Sequence, residues 1–397
     1  DLFLLPFGIL YHLGFSLISS FKLMLIFYST LSVILIFYVS SKIFVNKTYT
    51  SYISTILYTF ATYHIVDLHV RLTLGEILVI SFIPLLIYSF YLLFIKKKNC
   101  WLLLGFSFAL ILFSHNLSFA LYCILFLILI ICHLIFNRND KTEIIRSLKV
   151  ILKGTMFGFI ISAWYLLPLL EQLLSQDFKV NFYSMSYDLS IYLPDFLALF
   201  NPKNILILDN TSFYNLTGPG FILIFISFLY LFVKKNVYLN VLFVLSWILI
   251  LVESGFIPLY LIEQISVLQF LFRLSIIIFP IMCFICSYSF DNLDNNKLSA
   301  VALAIIIFGS LLSIGSCYYT YHINGGDNNY ADDESIYYLL DQKNYLEHGY
   351  NYGQLSAGDY LPASMPYDYL TYPKNIRQLG DEYTYNEIVY DYEITTY

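Results

Sequence analysis

Charged residues are scarce in this chain, and their scarcity excludes the soluble enzyme classes. Only 12% of the 397 residues are charged, whereas 59% are hydrophobic. A soluble globular domain carries roughly 25% charged residues, since charge has to cover the surface that faces water. The sequence also has no Gly-rich phosphate loop of the Walker type and no nucleophile elbow. Lipid must therefore be the solvent for most of the chain.

Basic clusters and cysteine frameworks are lacking as well. The net charge is −6 and no basic patch of useful size occurs, so nucleic acid is excluded as a partner. All six cysteines lie in or beside apolar runs. Cys283 and Cys286 have the spacing of a metal or redox pair, but their apolar surroundings predict two small packing residues on a membrane helix. No zinc site or disulfide framework is predicted.

Ten apolar stretches are predicted to cross the membrane, because about 20 apolar residues span its ~30 Å core. They lie at residues 17–45, 50–64, 73–95, 100–114, 117–136, 150–169, 217–233, 237–252, 268–290 and 298–317. Residues 2–13 are apolar but short and contain Pro6 and Gly8, which favours an interfacial or re-entrant helix. The predicted fold class is an all-α polytopic membrane protein with its transmembrane domain at 1–317.

Basic residues alternate between the loops, and this alternation orients the chain. Lysine and arginine concentrate near residues 42–47, 96–98, 138–153, 234–235 and 297. Cytoplasmic loops of membrane proteins carry such an excess, so the chain is predicted to start outside the plasma membrane and to end outside. No methionine or signal peptide begins the sequence. The chain is therefore expected to be either processed or a fragment. In the second case the outside start implies that a further helix and its first outer loop precede it.

The C-terminal segment changes character. Residues 318–397 are rich in Tyr, Asn, Asp and Gly and have few aliphatic runs. Disordered chains are poor in aromatic residues, so a small β-containing or irregular extracytoplasmic domain is predicted here. The tyrosines suit both packing and the recognition of sugar rings.

Ionisable residues in or beside the predicted spans mark a candidate site on the outer side. Such residues are costly in lipid and are functional candidates by default. The outer set comprises His64, Asp67, His69, Arg71, Glu76, His115, Asn116, Glu171, Asp188, Asp195, Glu253, Glu263, Gln269 and Arg273. All are predicted to converge near one membrane face.

The two arginines of this set each leave two arrangements open. A junction near residues 73–75 would hold Arg71 at the outer face while Glu76 enters the bundle, and the alternative is a buried Arg–Glu pair that joins helices. Gln269 and Arg273 are four residues apart and would share one face of a helix. Arg273 needs an anionic partner, either a carboxylate or the phosphate of a lipid-linked ligand, which a guanidinium binds through two parallel hydrogen bonds.

The histidines of this set are open to two interpretations. His64, Asp67 and His69 offer ligands for a divalent metal, but their spacing matches no specific motif. An interfacial polar loop explains them equally well. His115 is a candidate base or, alternatively, a residue of a tight turn.

Several short stretches carry a resemblance to a known family. They are RLTLGE at 71–76, SHNLSFAL at 114–121, SAWYLLPLLE at 162–171, LQFLFR at 268–273 and GDYLP at 358–362. In this order they resemble the bacterial YfhO-like membrane proteins and the related pyruvoyl-tetrahydropterin-synthase-related membrane domain. Both are similar to glycosyltransferases of the GT-C superfamily. The resemblance covers residues 1 to about 362.

The resemblance implies a GT-C-like enzyme that moves a sugar from a polyprenyl-phosphate donor to a cell-envelope polymer, with the need for a divalent metal left open. The family's acidic residue in the first outer loop would precede Asp1. The catalytic candidates within the chain are Asp67, Glu76 and His115; the donor-phosphate ligands are Arg71, Arg273 and Gln269; and the acceptor or support residues are Glu171, Asp359 and Tyr360. Asp359 stands where the family usually has a glutamate.

Two other functions remain open at the level of sequence. A transporter or flippase for lipid-linked sugar would be favoured by an internal repeat and by charges at the membrane midplane. The sequence has no visible repeat, and its polar residues cluster towards the outer face. A non-catalytic protein of envelope assembly would bind the lipid-linked sugar without turning it over.

Overall fold

The computed structural model describes residues 2–175, 193–194, 196–197, 218–262, 268, 270–293 and 296–321. Within them 82% of the residues are helical and no strand occurs. The all-helical class is therefore confirmed for the described part of the chain. The predicted C-terminal domain at 318–397 lies outside it, apart from the last turn of the final helix.

The described α-helices follow one another along the chain. They are α1 (Leu5–His12), α2 (Leu17–Ile43), α3 (Thr50–Thr59), α4 (Thr62–Val66), α5 (Leu74–Phe90), α6 (Trp101–Ser114), α7 (Asn116–Phe136), α8 (Lys141–Ser175), α9 (Phe221–Ser227), α10 (Val237–Glu253), α11 (Ser275–Asn292) and α12 (Asn296–Tyr321). A π-helical turn at Asp67–Arg71 continues α4, and another at Tyr91–Ile95 extends α5. A short 3₁₀ helix at Phe228–Phe232 follows α9, and another at Leu271–Leu274 precedes α11.

Five helical stretches of the described residues are long and apolar enough to cross a membrane. They are Ser19–Ile43, Leu74–Ile95, Asn116–Phe136, Lys141–Ser175 and Leu271–Asn292. Shorter apolar helices occupy four more of the predicted spans, at Trp101–Ser114, Phe221–Phe232, Val237–Glu253 and Ser299–Leu312. The chain is a multi-pass membrane protein. The short helix predicted within residues 2–13 is the eight-residue α1, which packs on α2.

The predicted span at 50–64 is broken in the structure. Phe60 and Ala61 leave helical geometry, with ψ of 135° at Ala61, so α3 and α4 are both too short to cross a membrane. The break frees the carbonyl of Tyr58, which is taken up by the ring Nδ1 of His64 at 3.1 Å. Because α3 packs on α2 and α11 inside the bundle, its broken end is covered by protein and not by lipid.

The most deeply buried long helices are α5 and α11, and each contains a proline. Pro84 and Pro280 have no N–H, so each leaves the carbonyl four residues earlier without its helical hydrogen bond. The carbonyl of Ile80 accepts from the Tyr58 hydroxyl at 2.7 Å. The carbonyl of Ile276 accepts from the Tyr122 hydroxyl at 2.9 Å. A tyrosine from a neighbouring helix thus satisfies each freed carbonyl where no water can do so.

Helices α6 and α8 approach each other closely through three glycines. A Cβ atom on Gly105 would lie 2.4 Å from the carbonyl oxygen of Gly154, and one on Gly158 would lie 3.0 Å from that of Gly105. Gly154 and Gly158 are four residues apart, which is the spacing at which small residues let membrane helices pack backbone to backbone. Helix α8, at 35 residues, is about 52 Å long at 1.5 Å per residue and extends well beyond its predicted span of 150–169.

The loops sort to the two ends of the bundle. The backbone N–H groups of Asn46 and Lys47 donate to Asp291 at the end of α11, and Lys97 donates to Asn137. We call this the basic end, with loops at residues 44–49, 96–100, 137–140 and 234–236. The opposite end, at which α5 and α11 begin, is called the site end. The lysine-rich loops therefore lie at one end of the bundle, as the sequence predicts. Which side of the membrane the basic end faces stays a prediction.

Candidate functional site

A reversal of the chain at Leu72 brings the predicted site residues together. The π-helical turn ends at Arg71, Leu72 adopts the left-handed conformation with φ of 49°, and α5 begins at Leu74. This reversal sets Arg71 beside Glu76, although the two are five residues apart. The predicted junction is therefore present. Of the two arrangements that the sequence left open, the buried Arg–Glu pair is the one seen in the structure.

The carboxylate of Glu76 is the centre of the site. Its side chain is 1% exposed and accepts from Arg71 Nη1 at 3.0 Å and Nη2 at 3.3 Å. The Tyr63 hydroxyl donates to the same carboxylate at 2.5 Å. Arg273 Nε lies 3.3 Å from its Oε1. One buried carboxylate therefore joins two guanidinium groups that are about 200 residues apart in the sequence, as their numbers show.

Asp67 is the second buried acid of the site. Its Oδ1 accepts from Arg71 Nη1 at 2.6 Å and from the Thr73 hydroxyl at 3.1 Å. Its Oδ2 has no hydrogen-bond partner among the residues that the structure describes. Burial and the neighbouring Glu76 raise the pKa of Asp67 well above its usual range. Asp67 thus lies against Glu76, its Oδ2 accepts no hydrogen bond from a described residue, and it has an increased affinity for a proton.

Aromatic rings enclose both guanidinium groups. The Arg71 guanidinium carbon lies 4.8 Å from the ring centre of Phe272 and 5.8 Å from that of Tyr63. The corresponding distance from Arg273 to Phe270 is 5.3 Å. Cation–π contacts of this kind fix the planes of the guanidinium groups and limit their hydration. The side chains of Arg71 and Arg273 are 10% and 14% exposed, so both remain accessible at one edge.

His115 lies next to the site, at the N-terminus of α7. Its Cδ2 would be 3.0 Å from a Cβ atom on Gly75, the residue before Glu76. Its Nδ1 contacts the Ser118 hydroxyl at 2.7 Å and accepts the Ser118 N–H at 3.4 Å, as a helix cap does. Burial lowers the pKa of His115. The ring is therefore neutral at neutral pH, and with Nδ1 engaged in the cap its proton resides on Nε2, where it can be donated.

The structure does not assemble the metal site considered for the His64–His69 loop. His64 is buried against Tyr58, whereas His69 faces outward. Within the described part of the chain, no three His, Cys, Asp or Glu side chains are grouped as a metal site requires.

Other predicted site residues lie elsewhere or cannot be placed. Glu171 is exposed near the end of α8 and forms no hydrogen bond or ion pair with described residues. Phe270 is extended, with φ of −143°. The predicted shared helical face of Gln269 and Arg273 stays a prediction, because Gln269 is not among the described residues. Outside the described residues lie Asp188, Asp195, Glu263, Gln269, Asp359 and Tyr360. Glu253 is fully buried and accepts from the Ser275 hydroxyl.

A second buried set of linked polar side chains lies at the basic end and was not predicted from the sequence. We call it the buried polar chain. His133 Nδ1 bonds to the Tyr238 hydroxyl at 2.7 Å, and its Nε2 lies 3.3 Å from Glu143. Glu143 in turn holds Arg146 through contacts of 2.8 and 2.6 Å. From the sequence alone, Glu143 and Arg146 are predicted only to be charged loop residues. The sequence did contain a signal for this arrangement. His133 lies inside a predicted span, and the acid Glu143 stands among the basic residues that follow it.

Comparison of the chain with protein-family models, with curated proteins and with solved structures gives no match. The arrangement of the side chains at the site end is therefore what a functional proposal has to rest on.

Proposed function

We propose that this chain is a membrane glycosyltransferase that transfers a sugar from a polyprenyl-phosphate donor to a cell-envelope acceptor on the outer face of a bacterial plasma membrane. The observation that carries the proposal is the placement of Arg71 and Arg273 on one buried carboxylate beside Asp67, whose Oδ2 accepts no hydrogen bond from the described residues. Two guanidinium groups at the edge of a low-dielectric bundle suit a lipid phosphate.

Asp67 is the base in this mechanism. It takes the proton of the acceptor hydroxyl, the acceptor oxygen forms a bond to the anomeric carbon, and the bond from that carbon to the phosphate oxygen breaks. A raised pKa increases the strength of the carboxylate as a base. Glu76 does not take part in the proton transfer, because both its oxygens are held by arginines. It is a positioning residue.

The charges of the site change in step with the reaction. With Asp67 and Glu76 ionised, the two acids balance Arg71 and Arg273. When Asp67 takes up the proton, the cluster gains one net positive charge as the departing phosphate gains negative charge. The arginines therefore stabilise the transition state more than the ground state, which is the condition for catalysis.

The test is the transfer of labelled sugar from polyprenyl-phosphate donors to envelope polymer, in membranes that carry the parent chain or its Arg273→Ala form. We expect the loss of one such contact to lower transfer by about 100-fold. The matched control is Arg146→Ala, which removes the Arg–Glu pair of the basic end. Transfer per folded molecule should survive that change. A folded parent that transfers no sugar from any donor would contradict the proposal.

A non-catalytic role in envelope assembly is the second candidate, and one observation favours it. The Glu76 carboxylate already forms ion pairs with both Arg71 and Arg273, as it would in a purely structural cluster. A protein of this kind would bind the lipid-linked sugar without transferring it. Donor binding that persists in Asp67→Asn, together with no transfer by the parent, would identify this case.

A further inference from the structure

A cavity separate from the proposed catalytic site opens at the basic end. Its volume is about 330 Å³, and it lies between the ends of α2, α5, α7, α10 and α11. This size is within the range of pockets that hold small molecules. Phe90 lines it, whereas Glu76 stands near the start of the same helix. Fourteen residues of helix place the two about 21 Å apart at 1.5 Å per residue.

The floor of the cavity is apolar and buried. Phe90, Phe94, Leu129, Ile281 and Phe284 line it and are at most 7% exposed. Walls of this kind lose their van der Waals contacts when the space between them is empty, so an apolar occupant is favoured over a void or water. The cavity therefore suits a hydrocarbon chain.

The mouth of the cavity is polar. Asn46, Lys96, Asn236 and Asn292 surround it. The Lys96 ammonium is exposed and lies 5.5 Å from the ring centre of Tyr91, and it forms no ion pair with a described residue. Asp291 also lines the cavity, and its two carboxylate oxygens accept the backbone N–H groups of Asn46 and Lys47 and form no ion pair with Lys96. The rim thus offers one cation and several amides to a headgroup.

One wall of the cavity is fixed by the buried polar chain of the basic end. Tyr238 lines the cavity, and its hydroxyl bonds to His133, which Glu143 holds from the other side. The ring of Phe94 stacks against Tyr238 at 6.0 Å between centroids. The wall is therefore held in place by contacts outside the cavity, and a ligand would not have to order it on binding.

We propose that this cavity binds a long-chain carboxylate, with its single hydrocarbon chain among the buried aromatic and aliphatic residues and its headgroup at Lys96. A single lysine matches a monoanionic carboxylate, whereas a phosphate recruits arginine forks or several cations. The site is independent of the proposed sugar transfer and lies at the other end of the bundle.

The experiment is photolabelling of the purified full chain in nanodiscs with a palmitate that carries a diazirine on its chain. We expect saturable labelling of the segments Phe90–Ile95 and Leu239–Leu242, competed by unlabelled palmitate. Leu129→Trp places an indole in the cavity and should lower this labelling by about tenfold, equivalent to about 1.4 kcal/mol. The matched control is Leu127→Trp on the same helix, since Leu127 is 57% exposed and does not line the cavity.

The headgroup is tested with a second pair of variants. Lys96→Gln should weaken competition by palmitate several-fold, whereas Lys98→Gln should leave it unchanged, because Lys98 is exposed and lies outside the cavity lining. Competition by hexadecanol as strong as that by palmitate would overturn the carboxylate assignment.

Folding is checked by thermal unfolding, and Leu242→Trp fills the cavity from α10 in case Leu129→Trp does not fold. Labelling that continues unchanged in a folded cavity-filling variant would overturn the proposal.

Discussion

Asp67 and Glu76 are both buried acids beside Arg71, yet their contacts predict different consequences of substitution. Glu76 has every oxygen engaged, whereas Asp67 keeps one oxygen without a described partner. Removal of the charge from Glu76 should therefore affect mainly the stability of the protein. Removal of the charge from Asp67 should affect mainly the transfer reaction.

Asp67→Asn should abolish sugar transfer while leaving the fold intact, because the amide oxygen can still accept from Arg71 and Thr73. The raised pKa of Asp67 also sets the sign of two pH effects. Transfer should fall as pH decreases through a value above the usual carboxylate range. The stability that a bound proton contributes should fall as pH rises through the same value. Initial rates of the parent across pH measure the first effect, and thermal unfolding of the parent and of Asp67→Asn across pH measures the second. Coincident unfolding profiles of the two proteins, or sugar transfer by Asp67→Asn, would contradict the assignment.

Glu76→Gln should destabilise the protein by about 3–5 kcal/mol, since it removes the buried carboxylate that joins Arg71 to Arg273. Thermal unfolding in detergent gives the comparison. Glu171→Gln is the matched control, because Glu171 is exposed on α8 and its loss should change stability by less than about 0.5 kcal/mol. Equal effects of the two substitutions would show that Glu76 is not the centre of the cluster.

The sequence predicted most members of the site but not its contacts. Buried charge in an apolar chain was enough to select Asp67, Arg71, Glu76, His115 and Arg273, all of which converge at the site end. The pairing depends on the left-handed Leu72 and on the extended Phe270. Neither conformation could be predicted from residue type, because a left-handed leucine is uncommon and residues 268–290 were predicted as one continuous helix.

At the scale of elements, the tyrosine contacts to the proline-containing helices account for how α5 and α11 remain intact inside the bundle. Hydropathy located both helices, since their apolar runs are long. It did not indicate which side chains would satisfy the carbonyls of Ile80 and Ile276, because those donors come from other helices. The break between α3 and α4 was missed because hydropathy does not show that His64, from within the same predicted span, bonds to the freed carbonyl of Tyr58.

Tyr58→Phe should destabilise the protein by about 1–3 kcal/mol, because it leaves the carbonyl of Ile80 buried without a donor. In a Pro84→Ala background the restored N–H of residue 84 can reach that carbonyl, and the same substitution should then cost much less. A double-mutant cycle by thermal unfolding measures this coupling. Additive effects would show that the tyrosine and the proline act independently.

At the scale of the whole molecule, lysine-rich loops occupy one end of the bundle and the buried acids and arginines of the candidate site occupy the other. The count of alternating loops was sufficient to predict this separation, because it depends on composition and not on packing. The span predicted at 50–64 was wrong as a continuous helix, because hydropathy does not indicate a break that protein covers between α3 and α4.

The site end is predicted to face the outside of the cell. His69→Cys and Lys98→Cys place exposed thiols at the site end and at the basic end, respectively. In intact cells a membrane-impermeant maleimide should label the first and not the second, and after lysis it should label both. The parent chain provides the background from its native cysteines. The reverse pattern would invert the topology and with it the location of the proposed transfer.

The two tyrosine–carbonyl contacts also constrain how this protein can change over evolutionary time. If Tyr58 or Tyr122 is lost while Pro84 or Pro280 remains, a carbonyl is left unpaired in the core. If the proline is lost first, the tyrosine is free to vary. We therefore expect homologous sequences to change these positions in a fixed order, proline before tyrosine, and the two pairs to covary although their members lie on different helices.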